Sequence, residues 1–367
     1  MQPVDGQPTA TTPSAAQPPL VLPFEHGRAI DDPNTALLQQ ARTRTVRRLI
    51  PSVLCVLLLA GIEALSIIAG MIPDVVVLGA VTLALGPLVV IAVVTQIPQQ
   101  RRGKALLSRY GWRGAPATLL ADKPCLARVG LDGAEVTLRL RRMNWIGKQA
   151  LLRTGTLWVC GPDERGRALV RVAGSVGQAL ADVTDLVPSG VPPVLARPTG
   201  PRPADDPALI WARHAYHRGM VIIIGVLVLL TGVCVGFLTR FDFGRADSGT
   251  VGGLVAVPVM LLLIGWSYLV GLRALRRYAD APCWLPVQVS LDTWDTPATM
   301  AVRTGTGRLI LPNGWHGYAD FPRLPLDLAA NLRATGVLWL AGEPTPGTTV
   351  PIGLPGYPLR AVVKIRG

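Results

Sequence analysis

The sequence predicts an α-helical multi-pass membrane protein with four transmembrane helices and two small cytosolic β-rich domains, built as an internal tandem repeat. Three observations support this fold class. Half of the 367 residues are hydrophobic and only 16% are charged, and the apolar residues are concentrated in four blocks. Motifs of the first half of the chain recur in the same order in the second half. Short runs of β-forming residues follow each pair of apolar blocks.

Each apolar block holds roughly 20 or more residues with almost no charge, which as a helix is long enough to cross a hydrocarbon core of about 30 Å. A core helix rarely stays apolar on all sides over such a length. Because 48 residues precede the first block, we expect a retained helix and not a cleaved signal peptide. The predicted transmembrane helices are 49–72, 75–97, 219–238 and 251–272.

The net charge of +13 is distributed as the positive-inside rule requires. Arginines and lysines flank the outer ends of both predicted helix pairs, whereas the short connections within the pairs carry no surplus of cations. This pattern predicts a plasma (inner) membrane protein with cytosolic N- and C-termini. The composition, rich in Ala, Arg, Gly and Pro, is typical of a GC-rich bacterial genome.

The repeat is read from motifs that keep their order. Asp31-Asp32-Pro33 recurs as Asp205-Asp206-Pro207, and the segment from Thr154 to Gly161 recurs as Thr335 to Gly342. Asp is a good N-cap and Pro is tolerated in the first helical turn, so each Asp-Asp-Pro predicts a helix start. Two spans in each half give parallel repeats, which suggests that a half-length ancestor worked as a homodimer.

The domain organisation follows from these signals. Helices at Val176–Val187 and Leu326–Ala334 are expected to pack on the β-rich domains, which we expect to be small barrels or sandwiches. The predicted parts are a disordered tail (1–30), a lead-in helix with the first helix pair (31–97), a β-rich domain (98–187), a Pro-rich linker (188–207), a second lead-in helix with the second pair (208–272) and a second β-rich domain (273–367).

Glu63 is the one ionisable residue well inside a predicted transmembrane helix, and an intramembrane carboxyl group marks a functional site by default. Its alternative role is a protonated side chain that hydrogen-bonds a neighbouring helix. Pro87 and Pro258 hold matching positions in the two halves and are expected to kink their helices. These kinks could line a pathway or could simply shape the bundle.

A basic loop with an aromatic residue follows the third strand signal of the first β-rich domain. It contains Arg141, Arg142, Trp145 and Lys148, and the second half keeps the tryptophan as Trp315 but not the charges. We expect this loop to contact anionic lipid headgroups or a protein partner, and nucleic acid is the less favoured partner. The tryptophans could instead be buried in small β domains.

The sequence predicts no cofactor and no metal site. His214 and His217 are too few for a closed zinc site, and none of the five cysteines forms a Cys-x-x-Cys pair. The sequence contains no phosphate loop, no Gly-x-Ser-x-Gly and no His-Glu-x-x-His motif, so an enzyme is not favoured.

The leading hypothesis is a membrane-anchored interaction or scaffold protein that presents paired β domains to a protein partner, with homo-oligomers as a further option. The alternative is a small-solute or ion transporter that uses Glu63 and the kinked helices. A third hypothesis, an enzyme acting on lipid headgroups, has no residues assigned to it.

Overall fold

A computed structural model describes most of the chain outside the four apolar blocks and fewer positions within them. The described residues are 19–44, 47, 51, 54, 58, 61, 100–141, 143–188, 191–238, 265–266, 269–273, 275–294, 302–311 and 314–366.

The described helices either connect two strands of a barrel or precede a barrel in the chain. They are α1 (33–44), α2 (100–109), α3 (Trp145–Thr154), α4 (Pro207–Leu238), α5 (269–273 and 275–279) and α6 (Leu326–Thr335).

The first barrel, barrel 1, is a closed antiparallel sheet in the order β1-β2-β3-β6-β5-β4, with α3 connecting β3 to β4. Side chains alternate along its strands, so that Ala115, Ala117 and Leu119 of β1 point inward. Its strands are β1 (Trp112–Ala121), β2 (Leu126–Leu131), β3 (Ala134–Arg141), β4 (Thr156–Cys160), β5 (Arg167–Val172) and β6 (Ala179–Val183).

The second barrel, barrel 2, repeats this topology strand for strand, in the closed order β7-β8-β9-β12-β11-β10, with α6 connecting β9 to β10. Both connecting helices end on a glycine in the left-handed conformation, Gly155 (φ 61°) and Gly336 (φ 65°). The strands are β7 (Trp284–Trp294), β8 (Val302–Ile310), β9 (His316–Pro325), β10 (Val337–Ala341), β11 (Thr349–Leu354) and β12 (Tyr357–Ile365).

The two barrels share one hydrophobic core and contact each other reciprocally. A single cluster of buried apolar side chains runs from Leu138 and Val159 of barrel 1 to Leu338 and Ile352 of barrel 2. Arg153 of α3 donates to the carbonyl oxygen of Pro355 in the β11–β12 turn, at 3.4 Å. In return, α6 binds the β5–β6 turn. The connecting helix of each barrel therefore contacts a strand turn of the other barrel, as in an isologous dimer interface.

The two Asp-Asp-Pro motifs start helices, as predicted. In both, the second aspartate is the N-cap and the proline is the first helical residue. Asp32 Oδ2 accepts from the backbone N–H of Thr35 at 2.9 Å, and Asp206 Oδ1 accepts from that of Ala208 at 2.8 Å.

One of the two predicted packing helices is confirmed and the other is wrong. Leu326–Thr335 is helical, within one residue of the expected range. The predicted helix at Val176–Val187 contains strand β6 instead, because its backbone pairs with β3 and β5 and completes barrel 1. A short apolar run cannot by itself distinguish a strand from a helix.

The prediction of an α-helical multi-pass membrane protein is wrong. Among the described residues, no helix has the combination of length and apolar character that crossing a membrane requires. The architecture is instead two closed six-stranded barrels, because alternating strand faces share one core. The predicted inner-membrane location with cytosolic termini depended on the four transmembrane helices. It is overturned by the same finding.

The four apolar blocks differ in how much of them is described. Block 219–238 forms the C-terminal part of α4. Block 75–97 lies outside the described residues, as do all but four positions of 49–72 and all but six of 251–272.

Candidate functional site

A cleft of about 380 Å³ lies between α2 and the outer wall of barrel 1, and arginine is its commonest lining residue. We call it the arginine cleft. Its lining residues are Arg101, Arg102, Ala105, Leu106, Arg109, Tyr110, Arg141, Asp163, Arg167, Leu180 and Asp182.

One side of the cleft is α2, which is anchored by its apolar face. Leu106 and Leu107 are buried against Trp112, Cys160 and Leu169 of barrel 1. The opposite face of the helix carries the exposed residues Arg101, Arg102 and Arg109. The amphipathic pattern of α2 therefore fixes three guanidinium groups at the rim of the cleft.

The other side of the cleft is formed by barrel strands and the β4–β5 loop. Arg141, the last residue of β3, forms an ion pair with Asp182 of β6. Arg167, the first residue of β5, donates through Nη2 to Asp163 Oδ2 at 2.7 Å and through Nε at 3.0 Å. This side-chain hydrogen bond is the main reason why the pKa of Asp163 is lowered from its usual value.

The charges of the cleft do not cancel, since five arginines face two aspartates. At the rim, Arg109 pairs with Glu164 at 3.2 Å, but both side chains are well exposed, at 64% and 84%. Such exposed pairs contribute only about 0–1 kcal/mol and exchange easily. Among the described residues, Arg101 and Arg102 have no ion-pair partner.

The lining residues suit binding better than catalysis. Guanidinium groups are planar, permanently charged donors that match carboxylate and phosphate oxygens. Leu106 and Leu180 add an apolar surface, and the Arg109 guanidinium lies 5.6 Å from the ring centroid of Tyr110. Within this lining there is no Ser, Cys or Lys paired with a general base, which nucleophilic catalysis would need.

The structure separates the residues that the sequence grouped into one basic loop. Arg141 lines the arginine cleft, whereas Lys148 Nζ binds Asp122 Oδ1 at 2.5 Å and is not part of that cleft. Trp145 stacks on Trp211 of α4, with ring centroids 5.4 Å apart. Trp315 is partly buried against the shared core. Both tryptophans are half-buried, and their contact with a partner stays a prediction.

Four of the predicted site residues lie outside the described residues. They are Glu63, Pro87, Arg142 and Pro258. The transporter hypothesis depends on three of them and stays a prediction.

The sequence marks Arg101, Arg102 and Arg109 only as topology signals, so their place in the cleft could not be predicted from it. Nor did the sequence predict Arg167 and its partner Asp163. The available signal was the conjunction of an arginine-rich helix with an Asp-Glu-Arg turn after β4 (163–165).

No group of three or more His, Cys, Asp or Glu side chains in the described part of the chain could hold a metal ion. His214 and His217 are exposed on α4, and His316 is exposed at the start of β9. The described cysteines, Cys125, Cys160 and Cys283, are free thiols, and burial raises the pKa of Cys160 to about 12.

Comparison with known proteins adds no functional assignment. The chain matches no protein-family model, and no curated protein or solved structure is significantly similar to it.

Proposed function

We propose that the chain is a non-enzymatic binding module whose arginine cleft takes up an acidic segment of a partner protein. The observation that carries this proposal is the excess of arginine over acid in the cleft, with Arg101 and Arg102 exposed at its rim. The proposal keeps the interaction role that the sequence predicts. It moves that role from the two tryptophans to the arginine cleft.

Carboxylate is the ligand group that the cleft already accommodates. Arg109, Arg141 and Arg167 each bind a carboxylate of the chain itself. The pair with Glu164 is exposed on both sides, so a partner's carboxylate can replace it at little cost. A partner with several Asp or Glu residues would also engage Arg101 and Arg102.

The form of the cleft favours an extended segment over a small molecule. Small-molecule sites usually bury most of the ligand surface in an enclosed pocket. Here the rim arginines are exposed along a helix of ten residues, α2, which matches the length of a peptide segment. Leu106 and Leu180 provide apolar contacts between the charged positions.

The experiment is fluorescence anisotropy with the full-length protein and a labelled peptide of alternating acidic residues and leucine. We expect saturable binding that weakens as salt is raised, because the attraction is screened. The double variant Arg101→Ala/Arg102→Ala should bind about 2–30-fold more weakly, since each exposed charge pair contributes roughly 0.2–1 kcal/mol.

The matched control is Arg276→Ala/Arg277→Ala, which removes the same charge from exposed positions of α5 outside the cleft. It should change the affinity less than twofold, a bound set by the small effect of remote surface charges. Equal weakening by both double variants would reduce the effect to net charge and overturn the proposal. Tighter binding of a short oligonucleotide than of the peptide would assign the cleft to nucleic acid instead.

A further inference from the structure

A second cleft, of about 210 Å³, lies between the two barrels and is separate from the arginine cleft. We call it the inter-barrel cleft. Barrel 1 contributes α3 and the turn between β5 and β6, and barrel 2 contributes α6 and the start of β12. Its polar lining includes Arg42, Arg171, Gln178, Asp327 and Tyr357.

Three residues of this lining carry a buried polar atom that donates no hydrogen bond within the described part of the chain. These atoms are Arg171 Nη2, Gln178 Nε2 and Tyr357 Oη. Each of them can donate a hydrogen bond. An unpaired buried donor costs roughly 1–3 kcal/mol, so three around one cleft are unusual unless the cleft takes a ligand that accepts hydrogen bonds.

Arg171 is held so that one guanidinium nitrogen stays unpaired. Its side chain is fully buried (0% exposed) and forms an ion pair with Asp32, Nη1 to Oδ2, at 2.9 Å. Its Nε donates to the carbonyl oxygen of Ser175 at 2.5 Å. These two contacts fix the plane of the guanidinium, and Nη2 is left without a partner in this cleft.

The acceptors near the cleft are already engaged. Asp327 Oδ1 accepts from the backbone N–H groups of Val176 and Gly177 and from the hydroxyl of Ser175. Gln178 Oε1 accepts from Gln39 at 3.3 Å. Arg42 lines the cleft and, among the described residues, has no ion-pair partner. Donor hydrogens on Arg171 and Gln178 and the charge of Arg42 therefore remain available, whereas the Asp327 carboxylate is held by the β5–β6 turn.

The repeat shows that this polar cluster belongs to one half only. Trp158 pairs with Arg171 across β4 and β5, and the equivalent Trp339 pairs with Gly353 across β10 and β11. Arg171 therefore has a glycine as its counterpart in barrel 2. The same barrel topology is therefore compatible with a glycine at this position.

We propose that the inter-barrel cleft binds a phosphate group, free or carried by a small metabolite, through Arg171, Arg42, Gln178 and Tyr357. The phosphate oxygens supply the acceptors that these donors lack, and Arg42 contributes a positive charge that no acid of the described residues pairs with. Arg171 belongs to barrel 1 and Tyr357 to barrel 2, so the bound group joins the two barrels. The proposal is independent of the function assigned to the arginine cleft.

The test is thermal unfolding and calorimetric titration of the full-length protein with inorganic phosphate, at constant ionic strength set with chloride. A ligand that binds only the folded state raises its stability in a saturable way. We expect a saturable rise in Tm with phosphate. A sugar monophosphate is titrated in parallel. A lower dissociation constant for the sugar monophosphate than for inorganic phosphate indicates that the natural ligand is a phosphorylated metabolite, and the reverse order indicates free phosphate.

Tyr357→Phe is the informative variant, because it removes one buried hydroxyl and keeps the ring in place. Without phosphate it should lose no more stability than the contact of this hydroxyl with Arg153 supplies. Its phosphate affinity should nevertheless fall about fivefold, the equivalent of one hydrogen bond. Arg42→Gln should weaken phosphate binding by at least as much. Tyr318→Phe, at an exposed tyrosine of barrel 2, is the matched control and should change neither quantity.

The Arg101→Ala/Arg102→Ala variant separates the two clefts, since it should weaken peptide binding and keep the phosphate effect. Equal phosphate responses in the wild type, Tyr357→Phe and Arg42→Gln would show a general ion effect and overturn the proposal. The absence of any saturable response would show that the donors are satisfied by water alone, which also overturns it.

Discussion

At the scale of the residue, the second aspartates of the two repeat motifs share a capping role and differ in a second one. Asp32 and Asp206 are only 2% and 3% exposed, and both cap a helix. Asp32 also pairs with the buried Arg171 of barrel 1. Asp206 accepts instead from the backbone N–H of Gly356, in the β11–β12 turn of barrel 2. Each cap thereby ties its helix to a barrel.

Replacing these aspartates should lower the free energy of unfolding by different amounts. Asp32→Ala leaves the Arg171 guanidinium buried without a counter-charge, and removing one member of a buried pair costs about 3–5 kcal/mol. Asp206→Ala leaves two backbone N–H groups without an acceptor and no buried charge, so we expect about 1–3 kcal/mol. Urea denaturation of the full-length protein measures both values.

The first aspartate of each motif is the matched control. Asp31 pairs with Arg28 on the surface, and both side chains are exposed. Asp31→Ala should therefore change the free energy of unfolding by less than about 1 kcal/mol. If Asp31→Ala and Asp32→Ala had equal costs, the buried pair would not contribute as described.

At the scale of the element, α6 joins three parts of the chain through one buried side chain. Asn331 Oδ1 accepts from the backbone N–H of Val21, at 2.8 Å, in the segment before α1. Its Nδ2 donates to the carbonyl oxygens of Gly174, in the β5–β6 turn, and of Asp327, both at 2.7 Å. The asparagine is fully buried and fully satisfied.

Asn331→Ala should destabilise the protein by roughly 2–4 kcal/mol, because it leaves the buried N–H of Val21 and carbonyl of Gly174 without partners. Arg333→Ala is the control on the exposed side of the same helix and should cost less than about 0.5 kcal/mol. Urea denaturation compares the two variants. A cost for Asn331→Ala no larger than that of the control would mean that α6 does not hold the barrels together.

Local sequence signals predict some of the elements and not others. The starts of α1 and α4 and the extent of α6 follow from local signals: an Asp-Pro cap, an apolar face and a closing glycine. Strand β6 was missed because its pairing partners, β3 and β5, are distant in sequence. The apolar blocks were read as transmembrane helices because hydropathy reports only composition and length. The arginine cleft combines α2 with strands β3, β5 and β6, and no local motif marks that combination.

At the scale of the whole molecule, the repeat has become two barrels of identical strand order that exchange helix contacts across one core. This reciprocity is what a fused homodimer would retain. The halves then differ where ligands are proposed. Arg171 of barrel 1 has Gly353 as its counterpart in barrel 2. We infer that barrel 1 carries the binding role and that barrel 2 supports it.

Hydrogen exchange of the full-length protein, with and without the acidic peptide, tests this division of roles most directly. Binding slows exchange where it suppresses local opening. We predict that peptide binding slows exchange in 100–110, 163–167 and 180–182, the segments that line the arginine cleft. The exchange rates of 275–283, the matching segment before barrel 2, should not change. Loss of this protection in Arg101→Ala/Arg102→Ala would complete the assignment. Protection confined to barrel 2, or equal in both halves, would contradict it.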